Sequence, residues 1–146
     1  MYQIDVKVRF RAGHRLMEPY VGKCNNVHGE GFTTTVCIKT EKLQADGTLL
    51  DFGEVKRYVK DYVNRNFDHH FLCRNDDPIG ELLANEGMAV TFTDTNPTSE
   101  NIAKEIYDVV STWLAGKFFG GDDVVYIKVG IQESFEDAVA WYTKAW

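Results

Sequence analysis

Three places in this 146-residue chain carry polar side chains where the surrounding pattern is apolar: His14, the pair His28 and Glu30, and Glu133. Burying such groups costs free energy unless they find hydrogen-bond partners or a metal. Residues i and i+2 of a strand project from one face. His28 and Glu30 can therefore hold one ion together, with His14 of a neighbouring strand as a third ligand. Two histidines and a carboxylate that leave a fourth position open form a catalytic zinc arrangement. The same spacing is met, and more commonly, by ordinary hydrogen-bonded histidines at strand ends. Cys24 stands four residues before His28, in the run Gly22-Lys23-Cys24-Asn25-Asn26. A lysine or a metal beside it favours the thiolate, which serves as base or nucleophile; an isolated loop cysteine is more often passive. Asp68-His69-His70 is the second dense polar cluster. A histidine held by an aspartate is an oriented proton donor or acceptor, although a histidine at a helix C-terminus is also favoured by the helix dipole alone. Glu133 equally fits the last exposed residue of its strand.

The elements that must position these groups follow from periodicity. Ile4, Val6, Val8, Phe10 and Ala12 share one phase and Asp5, Lys7, Arg9 and Arg11 the other, the mark of a half-buried strand. His14 continues the apolar phase. A second strand is predicted from about Glu30 to Thr40, with Phe32, Thr34, Val36 and Ile38 in phase with Glu30 and His28, and Cys37 pointing the other way. Asp46-Gly47 is a turn. Asp51 and Glu54 have the spacing of a capping box, Glu54 reaching back; the helix behind them carries Val55, Tyr58, Val59, Tyr62 and Val63 as one stripe and ends near Asn66. Met88, Val90 and Phe92 predict a third strand. Thr98 or Ser99 caps a second helix, with Glu100 at its positive end and Ile102, Ile106, Val109, Val110, Trp113 and Leu114 on its buried side. Gly120-Gly121 breaks the chain before a fourth strand through Val125, Ile127, Val129 and Ile131, closed by Glu133, and Ala138 to Tyr142 predicts a short last strand. Adjacent first strands, with helices over one sheet face, favour an α+β layout with a largely antiparallel sheet.

The composition is that of one globular domain, residues 1–146, with 44% hydrophobic and 26% charged residues. A net charge of −6 excludes broad, sequence-independent nucleic-acid binding while permitting a local basic pocket for a small anion. No apolar stretch has the length of a membrane span, so no membrane partner is expected. The first residues lack a signal-peptide core, and the cysteines Cys24, Cys37 and Cys73 are odd in number and sparse; both fit a cytoplasmic protein with free thiols. Trp113, Phe118, Phe119, Trp141 and Trp146 exceed what one small core needs, which points to an oligomer interface.

The run Phe10-Arg11-Ala12-Gly13-His14, followed by Lys23-Cys24-Asn25-Asn26-Val27-His28-Gly29-Glu30-Gly31-Phe32, resembles the F-x-A-x-H … K-C-x-x-x-H-G-H-x-Y signature of the 6-pyruvoyl/6-carboxy-tetrahydropterin synthase family. Leu50-Asp51-Phe52 with Lys56, Phe67 to Leu72, Pro97 to Asn101, and Gln132-Glu133-Ser134 match in order along nearly the whole chain. The resemblance implies a tunnelling fold, a four-stranded antiparallel sheet with two helices on one face. It further implies a homohexamer made as a dimer of trimers, with active sites at subunit interfaces. It assigns zinc to His14, His28 and the position of Glu30, proton transfer to Cys24 with Asp68 and His69, and the pterin ring to Glu133, with Thr98 and Glu100 nearby. The implied reaction is that of a lyase acting on 7,8-dihydroneopterin triphosphate with loss of triphosphate. The product is either the 6-pyruvoyl compound of tetrahydrobiopterin synthesis or 6-carboxy-tetrahydropterin, the precursor of queuosine. Two other readings stay open: a diverged pterin enzyme that cleaves a side chain, aldolase-fashion, and a pterin-binding protein without catalysis. The family's third ligand is histidine, and Glu30 departs from it. The swap lowers the charge of a zinc site from about +2 to about +1 and admits iron or manganese more readily, so the metal's identity is left open.

Overall fold

The computed structural model describes residues 1–117 and 126–144. Strands β1 (Tyr2–His14) and β2 (His28–Thr40) come first, then helix α1 (Phe52–Asn66), β3 (Phe71–Arg74), α2 (Pro78–Asn85) and β4 (Val90–Thr93). Helix α3 (Ser99–Ala115), β5 (Tyr126–Glu133) and β6 (Ala140–Tyr142) complete the chain. The six strands form one sheet in the order β4-β3-β1-β2-β5-β6. β1 pairs β2 antiparallel over its whole length, Tyr2 opposite Thr40 and His14 opposite His28, with no bulge. β5 continues the sheet antiparallel to β2, Glu133 opposite Phe32.

The α+β class holds, and the sheet is larger than expected: among the described residues it has six strands, where the resemblance implied four, all antiparallel, and the pattern predicted five, and β3 is parallel to both β1 and β4. A parallel pair needs a crossover, and α2 supplies it between β3 and β4. The predicted third strand begins at Val90, leaving Met88 outside it, and the last begins at Ala140 instead of Ala138. Phe118, Phe119, Gly120, Gly121, Val125 and Trp146 lie outside the described residues.

Strand alternation and two helical stripes build a single core. Val6, Val8, Phe10 and Ala12 of β1, Phe32, Val36 and Ile38 of β2, and Ile127, Val129 and Ile131 of β5 meet Val55, Val59 and Val63 of α1 and Ile102, Ile106, Val110 and Leu114 of α3. Each buried aliphatic side chain contributes about 1.5–3 kcal/mol. Asp51 caps α1, accepting from the Glu54 N–H at 2.9 Å. The Glu54 carboxylate does not reach back as a capping box requires; it pairs with Lys117. Leu72 of β3 joins this core, while its neighbour Cys73 faces the other way and meets α2. A Cβ on Gly80 would overlap the Cys73 sulfur, so the close approach of α2 to β3 requires glycine there. Helix α2 thus covers the opposite sheet face, at the β3–β4 end only.

Candidate functional site

The continuous register of β1 and β2 brings His14 and His28 face to face, with ring centroids 4.4 Å apart. Glu30 sits opposite Ala12, two residues along on the same side of the sheet. His14 is only 2% exposed. Its Nδ1 lies 2.9 Å from the Pro97 carbonyl, and His28 Nδ1 lies 2.7 Å from the Asn26 carbonyl. A carbonyl only accepts, so each Nδ1 carries the proton and each Nε2 presents a lone pair. Both Nε2 atoms are buried and have no hydrogen-bond partner. Glu30 Oε1 is 3.6 Å from His28 Nε2, and one ligand atom from each of the three residues falls within 4.8 Å of the others. Burial holds His14 below the usual histidine range, against the opposing pull of its bond to Pro97. Burial, then the negative charge of Glu133, raises Glu30. Two orphaned imidazole nitrogens, each with its other nitrogen anchored to a carbonyl, and a carboxylate beside them are what a divalent cation needs from its ligands and their supports. The donor set fits such an ion.

A cavity of about 480 Å³ opens beside His14, lined among others by Tyr20, Cys24, Thr98, Glu100 and Glu133. Cys24 stands in a short 3-10 turn, Lys23–Asn25, tied down by a bond from the Leu16 N–H to its carbonyl at 2.8 Å. Thr98 is the N-cap of α3, accepting from the Asn101 N–H at 3.2 Å. Ser99 takes a different role: its hydroxyl donates to Glu133 Oε1 at 2.9 Å and fixes that carboxylate at the end of β5. The Tyr20 phenol is raised, first by its hydrogen bond with the Cys24 side chain. The sequence marks Ser99 only as a candidate helix cap, and Tyr20 not at all. Ser99 shares the capping signal of its neighbour Thr98, and nothing in the local pattern marks Tyr20.

A second cavity, of about 700 Å³, lies on the other side of the cluster, where Arg11, Glu30, His69, His70, Leu83 and Met88 line it. Asp68 Oδ1 accepts from the Arg11 N–H at 3.0 Å, and Asp68 Oδ2 lies 2.9 Å from His69 Nδ1. These contacts, the Arg11 bond first, hold the Asp68 carboxyl below its ordinary range. His69 has φ 59°, a left-handed conformation costly for a residue with a Cβ. A bond from its own N–H to the Arg11 carbonyl at 2.6 Å sustains it. His70 turns away to Thr91, 2.8 Å from its hydroxyl. The chain therefore gathers His14, Cys24, Thr98, Glu100 and Glu133 around one cavity and Glu30 and His69 around the other, so that the three-residue cluster contributes His14 to the first and Glu30 to the second. It does not bring Cys24 and the Asp68–His69 pair together.

A family model described as 6-pyruvoyl tetrahydropterin synthase matches residues 3–145. A 6-carboxy-5,6,7,8-tetrahydropterin synthase from Rickettsia conorii is 33% identical over 108 residues, covering 73% of this chain and 78% of its own. The 6-pyruvoyl tetrahydrobiopterin synthase of Homo sapiens is 27% identical over 117 residues, 73% of this chain and 72% of the human one. Among solved structures, 6-pyruvoyl tetrahydropterin synthase from Plasmodium vivax superposes with a TM-score of 0.71 at 17% identity, covering 99% of this chain and all of the other. The Caenorhabditis elegans protein of the same name gives 0.66 at 22% identity, over 99% and 96%. At those identities the structures speak for the fold.

Proposed function

The chain belongs to the 6-pyruvoyl tetrahydropterin synthase family, and from that premise we propose that it is a metal-dependent lyase. Its substrate is 7,8-dihydroneopterin triphosphate, and its product is 6-carboxy-5,6,7,8-tetrahydropterin, formed by loss of triphosphate followed by addition of water and release of the two outer side-chain carbons as acetaldehyde. The Rickettsia conorii relative named for the 6-carboxy product is 33% identical, against 27% for the human relative named for the 6-pyruvoyl product, at the same coverage of this chain, which supports that choice. The observation that carries the proposal is the pair of buried Nε2 atoms without a hydrogen-bond partner beside Glu30, one of them on His14, which lines the cavity that also holds Cys24 and Glu133.

His14, His28 and Glu30 would hold the metal, for which we assign zinc. When bound, it supplies Lewis acidity to the hydroxyls of the substrate side chain. Glu133, held by Ser99, accepts hydrogen bonds from the amino and N–H edge of the pterin ring, and Thr98 and Glu100 border the ring. Cys24 Sγ takes a proton from the side-chain carbon, the task of a thiolate base. His69, oriented at Nδ1 by Asp68, carries a proton on or off at Nε2. Because Cys24 and His69 border different cavities of one chain, the working site draws on neighbouring subunits of a homohexamer. Val21, Val27 and Phe135 support that arrangement: they flank Cys24 and follow Glu133, and they are exposed apolar side chains. Three unpaired thiols support a cytoplasmic setting, and none of the described helices is long and apolar enough to cross a membrane.

Incubation of the purified protein with zinc and 7,8-dihydroneopterin triphosphate tests the reading. Triphosphate release is expected from the unaltered chain and is expected to fall by a factor of about 100 or more in Cys24→Ala, the usual scale for a positioned proton-transfer group. Release untouched by that change removes Cys24 from the mechanism, and binding without release leaves a pterin-binding protein.

A further inference from the structure

Strand alternation sends the odd-numbered residues of β1 to the face that α1 and α3 leave uncovered, and helix α2 covers only the β3–β4 end of that face. The outward positions of β1, β2 and β5 hold five cations, Lys7, Arg9, Arg11, Lys39 and Lys128, and one carboxylate, Asp5. This concentration runs against a chain whose net charge is −6. Lys7, Arg9 and Arg11 are exposed and Lys39 and Lys128 half-buried. Among the described residues none of the five forms an ion pair, whereas Arg15, Arg74, Lys104 and Lys117 each have a carboxylate. Asp5 is engaged by Gln3, whose amide donates to it at 2.9 Å. Like charges crowded on one face repel, and an anion removes that repulsion.

We propose that this face binds a linear inorganic oligophosphate, seated between Lys7 and Arg9 of β1 and Lys128 of β5. The register puts Lys7 in line with Thr35 and Gly130, and Arg9 in line with Thr33 and Gln132. Two threonine hydroxyls thus lie beside Lys7 and Arg9, donors suited to bridging phosphate oxygens, and Lys128 stands two residues from Gly130 along β5, in line with Cys37 and Asp5. From Lys7 to Arg11 is about 13 Å along the strand, and β1 to β5 is about 9.5 Å across it. A patch of that size suits a short, densely charged chain and not a polymer. Its far side is closed by Trp141, whose ring lies against Gly130 so tightly that a Cβ there would come within 2.8 Å of it, and Lys128 Nζ stands 4.3 Å from the ring centroid. Under the reaction proposed above, the anion would be of the same class as the leaving group, and Arg11 borders both the patch and the cavity that Glu30 and His69 line.

Calorimetric titration of inorganic triphosphate into the full chain, before and after metal removal, tests it. Saturable binding is expected in both states, weaker with added salt because Lys7 and Arg9 are exposed. It should be at least tenfold weaker in the double variant Lys7→Gln, Arg9→Gln and in Lys128→Gln, with orthophosphate far weaker throughout. These side chains make no core contact, and circular dichroism checks that the variants fold. Equal affinity in the variants overturns the proposal, as does binding that disappears with the metal. Tighter binding of a single-stranded oligonucleotide than of triphosphate overturns it in favour of nucleic acid. Dissociation of the oligomer by the variants, with triphosphate affinity unchanged, overturns it in favour of an interface between copies. Turnover is not measured, so failure here and failure of the lyase reading are separable: loss of release in Cys24→Ala leaves triphosphate binding intact.

Discussion

A carboxylate beside two imidazoles of fixed orientation responds to substitution differently from a third imidazole. Glu30→Gln keeps the shape and removes the negative charge, leaving an amide oxygen as a poor ligand. Metal affinity, measured by titration with elemental analysis, is expected to fall by roughly 100-fold or more, beyond the 10- to 100-fold loss that follows removal of a supporting partner. Glu30→His, which restores the family's ligand type, is expected to retain the metal; unchanged stoichiometry in Glu30→Gln takes Glu30 out of the ligand set. Ser99 acts one step away from the ligand. Its hydrogen bond to the Glu133 carboxylate is of the charge-assisted kind, about 1.5 kcal/mol. Ser99→Ala is expected to weaken pterin binding about tenfold by fluorescence titration with metal content unchanged, and Ser99→Thr to restore it; a loss of metal would contradict that role. His14, His28 and Glu30 were legible from strand phase because a polar residue on an apolar phase stands out. Ser99 was not, since a hydroxyl at a helix start reads as a cap whichever way it turns.

Helix α2 and strand β3 depend on one buried ion pair. Arg15, just past the end of β1, makes two bonds of 2.7 Å to Asp77, whose side chain is fully buried and also caps α2 through the Ile79 N–H at 2.9 Å. Burial alone would raise the Asp77 carboxyl; the Arg15 guanidinium and the Ile79 N–H overcome it and hold it below the usual range. A depressed carboxyl contributes stability that is present above its unfolded value, about pH 3.9, and is lost as pH falls through the folded value. Urea midpoints measured between pH 7 and pH 3 should therefore drop, and drop less in Asp77→Asn. Asp77→Ala is expected to cost about 3 kcal/mol at neutral pH; a midpoint unchanged from the parent would show that the pair does not anchor this end of the sheet. The same region is where the sequence was least legible. β1, β2, α1 and α3 are long enough for period to declare them, but β3 is four residues, three of them buried with no alternation, and such a run does not distinguish strand from helix or loop. The Asp77-Pro78 start of α2 carries a capping residue and a proline at the first turn, yet its eight residues are too few for a stripe to stand out.

The separation of Cys24 from the Asp68–His69 pair becomes a question about the assembly. His69 presents a side chain that is 78% exposed to the cavity lined by Glu30, whereas Cys24 borders the cavity lined by Glu133. If subunits of a ring share their sites, the thiol of one chain works with the imidazole of its neighbour. Cys24→Ala and His69→Ala are each expected to be inactive alone, but a mixed oligomer of the two contains sites whose Cys24 comes from one variant and whose His69 comes from the other. In a cyclic arrangement assembled at random from equal amounts, ~a quarter of sites pair two intact residues. Triphosphate release near that fraction of the parent rate is the expected outcome after co-expression, with mixing verified by native mass spectrometry. If both groups of a site come from the same chain, no mixed site has the complete set and nothing is recovered. Recovery also fails to appear if the chain is a monomer, but native mass spectrometry then reports no mixed species, so the two causes of silence are told apart by the same measurement.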